Sequence, residues 1–324
     1  MNSKNKFIKN FIKSQQEIFL GAQNWWPKYL FHFTDITNAI SILEHGFVLS
    51  RNKATELDLM KNDNANDDVI SMTADKYKDY ARLYFAPSTP TQYNNEGFKP
   101  KNLIQDNAHC PIPIMFIFYS KKIFMMDDIK FTDGNLAKHP NIYENIEDLK
   151  KLNFRLIYHR TYFSPEDRNA IVNARHSEIL IKNKLPIKGN LKLIAVRSEA
   201  EKETLLYLMD DNTRIFYKDK IYVQPKTGIF INNWLYVREV NIIDNIITIL
   251  WHNCSNYGKC ENKYNIKIQL EDIKTTNKKG LKKKNWYPSS NPMKINMPED
   301  FVDSFFYLSI FIDKTLAYKR VFPF

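Results

Sequence analysis

The chain has 324 residues, a formal net charge of +11 at pH 7 and an isoelectric point near 9.2. That length buries a full core and suits two domains, and the cationic balance fits either a polyanionic partner or simply a Lys- and Asn-rich proteome. Cys110, Cys254 and Cys260 match no zinc spacing and no secreted disulfide framework, no apolar run is long enough for a bilayer, and residues 1–20 lack the apolar stretch of a signal peptide, so a cytoplasmic protein away from membranes is expected.

Residues 1–28 place Phe7, Ile8, Phe11, Ile12, Ile18 and Phe19 at roughly helical intervals, which predicts an amphipathic helix ending near Gly21. Trp25 and Trp26 lead through Pro27 into 29–51, the stretch around which the rest is organised. Residues 29–33 are aromatic and apolar, as in a buried strand, and His32 interrupts them. Thr34 or Asp35 is placed to cap a following helix, in which Ile36, Ala39, Ile40 and Leu43 recur at helical spacing. Gly46 suits the left-handed position that ends it. A strand that runs straight into a helix N-terminus is a place to hold a nucleotide, although a hydrogen-bonded core histidine is the plainer reading of His32.

Residues 62–68 have almost no apolar content and read as a surface loop, a lid or a connection. A second strand is expected at 80–85, a segment dense in hydrogen-bonding side chains at 91–97, and a strongly apolar strand at 111–118 that runs into a turn at 122–125. A turn at 133–135 and a short helix at 141–152 follow. The polar stretch 158–174 carries Arg160, Glu166, Asp167 and Arg168, and 175–182 reads as a loop entering a strand that starts at Glu178. A carboxylate at such a strand end is ordinarily a solvated edge charge. One more strand, 191–196, and a helix, 198–209, close this half.

From about residue 212 the texture changes to strand-period alternation at 215–217, 221–223, 229–231, 234–240, 243–251, 264–270 and 305–312, which reads as a β-sandwich. Between the last two lies a basic run, Lys274, Lys278, Lys279, Lys282, Lys283 and Lys284, ending in Trp286 and Tyr287. It reads as a solvated hairpin tip or as a surface for a single-stranded nucleic acid. No internal repeat and no Walker or Rossmann glycine pattern occurs.

The His32-Phe33-Thr34 strand end, the helix of Asn38, Gly46 and the Tyr84-Phe85 strand follow the order of NAD-dependent ADP-ribosyltransferases. Within these, residues 29–51, 80–97 and 175–181 resemble the DarT toxins, which ADP-ribosylate bases in DNA. The resemblance covers roughly the first 200 residues, and 212–324 has no recognised counterpart. It implies an α+β fold, with an ADP-ribosyltransferase-like split β-sheet core in a domain at 1–210 and the C-terminal β-sandwich at 211–324.

NAD would be the substrate, held between two sheets. Glu178 would be the catalytic glutamate, Tyr84 would face the nicotinamide, and Arg51 and Arg82 compete for the place of the family arginine. His32, Thr34, Asn38 and Gly46, with Arg51, would line the cofactor wall. Arg160, Tyr162, Arg168 and His176 would meet the DNA, single-stranded because the target base must be unstacked. Many members carry Gln two places before the glutamate; His176 stands there in this chain, which leaves thymine and guanine both open as the target. Such a toxin or antiphage effector implies an antitoxin, often an ADP-ribose hydrolase. RNA or protein as acceptor, and a degenerate basic nucleic-acid-binding module, are the alternatives.

Overall fold

The computed structural model describes residues 3–19, 21, 23–62, 71–104, 108–224, 227–252 and 262–322. Most of the loop expected at 62–68, together with Cys254 and Cys260, lies outside the described residues. The chain divides into two compact units, Met1–Asn94 with Ile114–Ala195 and Thr227–Ile229, and Asn95–Pro113 with Val196–Lys226 and Phe230–Phe324. The second unit thus gathers segments well before residue 211.

In the first unit the strands are β1 (Tyr29–Asp35), β2 (Phe47–Leu49), β3 (Tyr80–Tyr84), β4 (Pro113–Tyr119), β5 (Lys130–Thr132), β6 (Ile142–Tyr143), β7 (Glu178–Lys182), β8 (Lys184–Pro186) and β9 (Leu191–Val196). The main sheet runs β9-β4-β1-β3-β7-β5-β6, and β2 pairs with β8 apart from it. β4 is buried along nearly its whole length, which is why its sequence is a continuous apolar run and not an alternation. Residues Glu178–Ile181 of β7 are likewise buried.

Helix Ser3–Ile18 is amphipathic as expected, with Ile8 and Phe11 buried and the Phe11 ring edge-on to Phe154 at 5.3 Å. Of the two candidate caps for helix Ile36–His45, Asp35 is the one used, its carboxylate accepting from Thr37 N at 3.0 Å. The helix closes at Gly46, φ 77°, whose N–H donates to Ile42 O at 2.9 Å. The helix expected at 141–152 does not form as such. Ile142–Tyr143 pairs with β5, where Tyr143 stacks on Phe131 at 5.5 Å, and Asn145 starts a 3-10 turn, Ile146–Lys151. The turn expected at 122–125 is a short helix, Ser120–Phe124, and the polar stretch before Glu178 contains helix Arg168–Ala174.

In the second unit come β10 (Ile221–Val223), β11 (Val237–Ile243), β12 (Ile246–Trp251), β13 (Tyr264–Asp272), β14 (Lys278–Trp286), β15 (Met293–Asn296), β16 (Phe306–Ile312) and β17 (Thr315–Phe322). They include two antiparallel sheets, ordered β11-β12-β15 and β14-β13-β16-β17, and the Trp251–Trp286 ring contact at 5.1 Å links them. Helix Glu199–Leu208 packs on β11 and β17, and Tyr318 on β17 donates its hydroxyl to Glu203 at 2.7 Å. Asp244 and Asn245, both at positive φ, turn β11 into β12.

Three expectations are corrected here. Residues 215–217 lie in helix Asp211–Tyr217, because Asp210 caps it by accepting from Thr213 N at 2.9 Å. No strand forms at 229–231; in this unit Glu96 accepts the Ile231 and Asn232 N–H groups, so they are not free for a ladder. The lysine run is only in part a hairpin tip: Lys274 lies in the turn between β13 and β14, whereas Lys278, Lys279, Lys282, Lys283 and Lys284 are in the body of β14, an edge strand exposed on both faces.

Candidate active site

β1, β3 and β7 are neighbours, and the pairing places Phe31 opposite Tyr84 and Tyr84 opposite Glu178. Directly opposed residues of an antiparallel pair share a face with Cβ atoms about 5 Å apart. The Tyr84 hydroxyl lies beside the Glu178 carboxylate and the Thr91 side chain. Arg82 lies two residues before Tyr84 and so on the same face of β3, with Nη1 3.7 Å from Glu178 Oε2.

Glu178 is 4% exposed, and its Oε2 is buried with no hydrogen-bond donor. Burial pushes its pKa above the usual carboxylate range; the Arg82 charge and the Tyr84 hydroxyl oppose that without cancelling it. Tyr84 is pushed well above the ordinary tyrosine range by burial first and the neighbouring carboxylate second. His32 places Nδ1 3.0 Å from the Arg82 carbonyl oxygen, and burial lowers its pKa. A carbonyl only accepts, so Nδ1 carries the proton, and in the neutral ring Nε2 is an acceptor.

The start of β7 is fixed by Thr132. Its hydroxyl accepts from Glu178 N at 3.0 Å and donates to Gly134 O at 2.8 Å. A Cβ at Gly134 would come within 2.4 Å of the Asn173 side-chain amide, which would have to swing aside. Nothing in the sequence marks Thr132 for this task, since its partner is 46 positions away.

A cleft of about 240 Å³ is lined by His32, Thr34, Asn38, Arg51, Arg82, Tyr84 and Thr91 among others; Glu178 is not among the lining residues and stands behind Arg82 and Tyr84. Asn38 holds one wall: its Oδ1 accepts from Lys61 N at 2.9 Å and Asn62 N at 3.0 Å. Arg51 begins helix Arg51–Glu56, capped by Ser50, and its Nη1 is 4.0 Å from Met60 Sδ. The two candidate arginines take different places, Arg82 against the carboxylate and Arg51 elsewhere on the wall. Gly46 ends its helix and is not among the lining residues, although His45 and Phe47 are.

The residues expected to meet an acceptor are not among those lining the cleft. Arg160 donates to Gly228 O at 2.6 Å and lies 5.4 Å over the Trp26 ring. Tyr162 is 91% exposed, and Arg168 starts its short helix in solvent. His176 places Nδ1 2.8 Å from Val172 O, with its pKa lowered by burial. Arg175, which sequence reasoning passed over, donates to Ser88 O; burial and the nearby Arg160 lower its pKa to about 10. Gln92, fully buried, accepts from Ser88 N and donates to Ile229 O, both at 2.8 Å, which explains the polar density at the start of 91–97.

Breaking a bond at the anomeric carbon of a ribose develops positive charge on the sugar, which a fixed, water-poor carboxylate stabilises. An undonated Glu178 oxygen and a histidine nitrogen ready to accept both fit ribose hydroxyls, and two guanidiniums on the same cleft suit a diphosphate. Fold and site define an NAD-dependent ADP-ribosyltransferase.

The chain belongs to the DarT family, whose model, described as ssDNA thymidine ADP-ribosyltransferase, matches residues 31–231. Among solved structures, Thermus sp. 2.9 DarT in complex with ADP-ribosylated ssDNA is 16% identical at a TM-score of 0.50, over 62% of this chain and 96% of that one. The same protein in complex with NAD+ gives 17% and 0.48 over 62% and 97%. Thermosipho africanus DarTG in complex with ADP-ribose gives 21% and 0.47 over 67% of this chain and 54% of that one. At 16% identity the likeness to the first of these is one of fold alone. No curated protein matches. Among the described residues, no helix is long and apolar enough to cross a membrane.

Proposed function

We propose that the protein transfers ADP-ribose from NAD to a thymidine base in single-stranded DNA and acts as a toxin or antiphage effector in the cytoplasm. The observation that carries this reading is the Tyr84–Glu178 pair across β3 and β7, with a buried carboxylate oxygen lacking a donor next to Arg82 and Tyr84, which line the cleft. Glu178 bonds the nicotinamide-side ribose and stabilises its growing charge as the bond to nicotinamide breaks. Nicotinamide leaves neutral, the base nitrogen bonds the same carbon, and the proton it loses passes to Glu178. Tyr84 packs against the nicotinamide ring, His32 accepts from a ribose hydroxyl through Nε2, and Thr34 and Asn38 complete the wall. Arg82 keeps Glu178 ionised, which leaves Arg51 for the diphosphate.

Arg160, Tyr162, Arg168 and His176 serve the acceptor strand from the segment before Glu178. The base must be swung out of any stack, so unpaired DNA is the substrate. A template base carrying so bulky and charged a group blocks replication, and the cell needs a partner antitoxin that hydrolyses ADP-ribose from DNA.

The test is mass spectrometry of oligonucleotides, one for each base, after incubation with the protein and NAD. One ADP-ribose added to thymidine oligomers is expected, lost at least a hundredfold in rate in Glu178→Ala, on the order of what removing one transition-state contact costs. NAD consumption without any modified oligonucleotide would reject the acceptor, and undiminished turnover by Glu178→Ala would reject the mechanism.

A further inference from the structure

The sheet β14-β13-β16-β17 lies entirely beyond the residues the family model matches, and no part of the transferase site uses it. β13 alternates, and one face of the sheet is buried through Ile266, Ile268, Leu308 and Ile310. The register fixes what the other face presents. Lys282, Lys267 and Phe311 stand in one row across β14, β13 and β16. Lys319 on β17 stands opposite Ser309 in the next row, and Tyr307 lies in the row beyond. Phe311 and Tyr307 are half-buried, Tyr307 with the Tyr207 ring edge-on at 6.0 Å, and lie four positions apart on β16, roughly 13 Å at strand rise.

The charges on this face are not balanced. The carboxylate of Glu271 is taken by Lys278 at 3.1 Å, while Lys279, on the opposite face beside Leu270, pairs with Asp300 at 2.5 Å. Lys267, Lys282 and Lys319 have no ion pair among the described residues. Lys267 and Lys282 are directly opposed, an arrangement that destabilises a bare sheet and that an anion lying between them would relieve. The ammonium of Lys267 sits 5.2 Å over the Phe311 ring, and that of Lys319 lies 5.2 Å over Tyr307 and 5.3 Å over Tyr207. Each ring is thus covered by a flexible cation that can swing to a phosphate and leave the ring to a base. Lysines alone would be the usual defence of an edge strand against aggregation. Lysines poised over half-exposed rings on the flat of a sheet are instead the components of a stacking platform for a single strand.

We infer that this sheet face is a second binding surface for single-stranded DNA, with Phe311 and Tyr307 stacking on bases and Lys267, Lys282 and Lys319 holding phosphates. The identity of the strand rests on the proposed activity; the surface itself rests on this unit alone. Its role is to hold long unpaired DNA on the enzyme and so raise the local concentration of target bases.

The test uses the full chain in the Glu178→Gln background, so that the probe stays unmodified, and reads fluorescence anisotropy of a labelled thymidine 30-mer against salt, a length of about two to four such sites. Phe311→Ala is expected to weaken binding about fivefold or more. Lys267→Glu with Lys282→Glu is expected to flatten the salt slope by about 0.7 per lysine. In an otherwise wild-type chain the same changes should lower modification of long oligonucleotides while leaving NAD hydrolysis unchanged, which also reports that the variants are folded. Unaltered affinity and salt slope in both variants would overturn the inference, including the case in which the face binds an acidic protein instead. If the wild type modifies no oligonucleotide at all, the catalytic reading fails, yet the binding measurement still decides this one.

Discussion

Replacing Arg82 with methionine removes a charge while keeping the length and much of the packing of the side chain. The guanidinium lies 3.7 Å from Glu178 Oε2, a separation worth about 4 kcal/mol at an effective dielectric of about 20. Arg82 is 29% exposed beside an open cleft, so water screens a large part of this, and about 1–2 kcal/mol, or roughly one pH unit, is the working figure. Burial already holds Glu178 above the ordinary carboxylate range, and Arg82 opposes it. Its removal therefore drives the pKa further up. Only the ionised carboxylate stabilises the sugar cation, so the acid limb of the rate should move to higher pH by about one unit in Arg82→Met, with activity at alkaline pH far less affected. The assay is kcat and KM for NAD hydrolysis across the pH range, run beside the wild type. An unmoved acid limb with a raised KM would refute this reasoning and make Arg82 a phosphate ligand instead.

Other outcomes follow from the same site. Because the folded pKa of Glu178 is raised, the stability tied to it is complete below the ordinary carboxylate pKa and lost as pH rises through the folded value. Glu178→Gln should therefore be inactive yet melt higher than the wild type at neutral pH, with the gap closing near pH 4; a lower melting temperature at neutral pH would contradict it. Thr132→Val leaves the Glu178 N–H without its buried acceptor and should cost about 1–3 kcal/mol in denaturant titration and depress activity as well, with Thr132→Ser restoring both. Asp35→Ala removes the cap of helix Ile36–His45 and should cost about 1 kcal/mol of unfolding free energy, read from the denaturation midpoint.

The legible parts of this chain were the local ones. The turn from β1 into its helix, the Asp35 cap and the Gly46 stop depend on neighbours within a dozen residues, and side-chain chemistry marks each of them. Glu178 was different: alone it looked like a solvated strand end, and only its order relative to His32 and Tyr84 raised it to a candidate. Its burial depends on β3 and β5 flanking β7, a pairing that no stretch of sequence announces. For the same reason Thr132, Gly134 and Arg175 stayed hidden, and Arg51 could not be separated from Arg82. Ile215, Phe216 and Tyr217 read as a strand because three apolar residues in a row carry no period, and the deciding signal was the aspartate before them. Repeated lysines likewise masked β14, whose pairing is supplied by β13 and not by any alternation of its own.

The reacting groups sit on paired strands, whereas the residues assigned to the acceptor sit on the segment that precedes β7. A ladder tolerates no slippage without turning its side chains over, but a connecting segment accepts insertions and exchanges freely. On the proposed assignment, exchanges confined to that segment would redraft which polymer is marked while the paired strands that carry Tyr84 and Glu178 stay as they are.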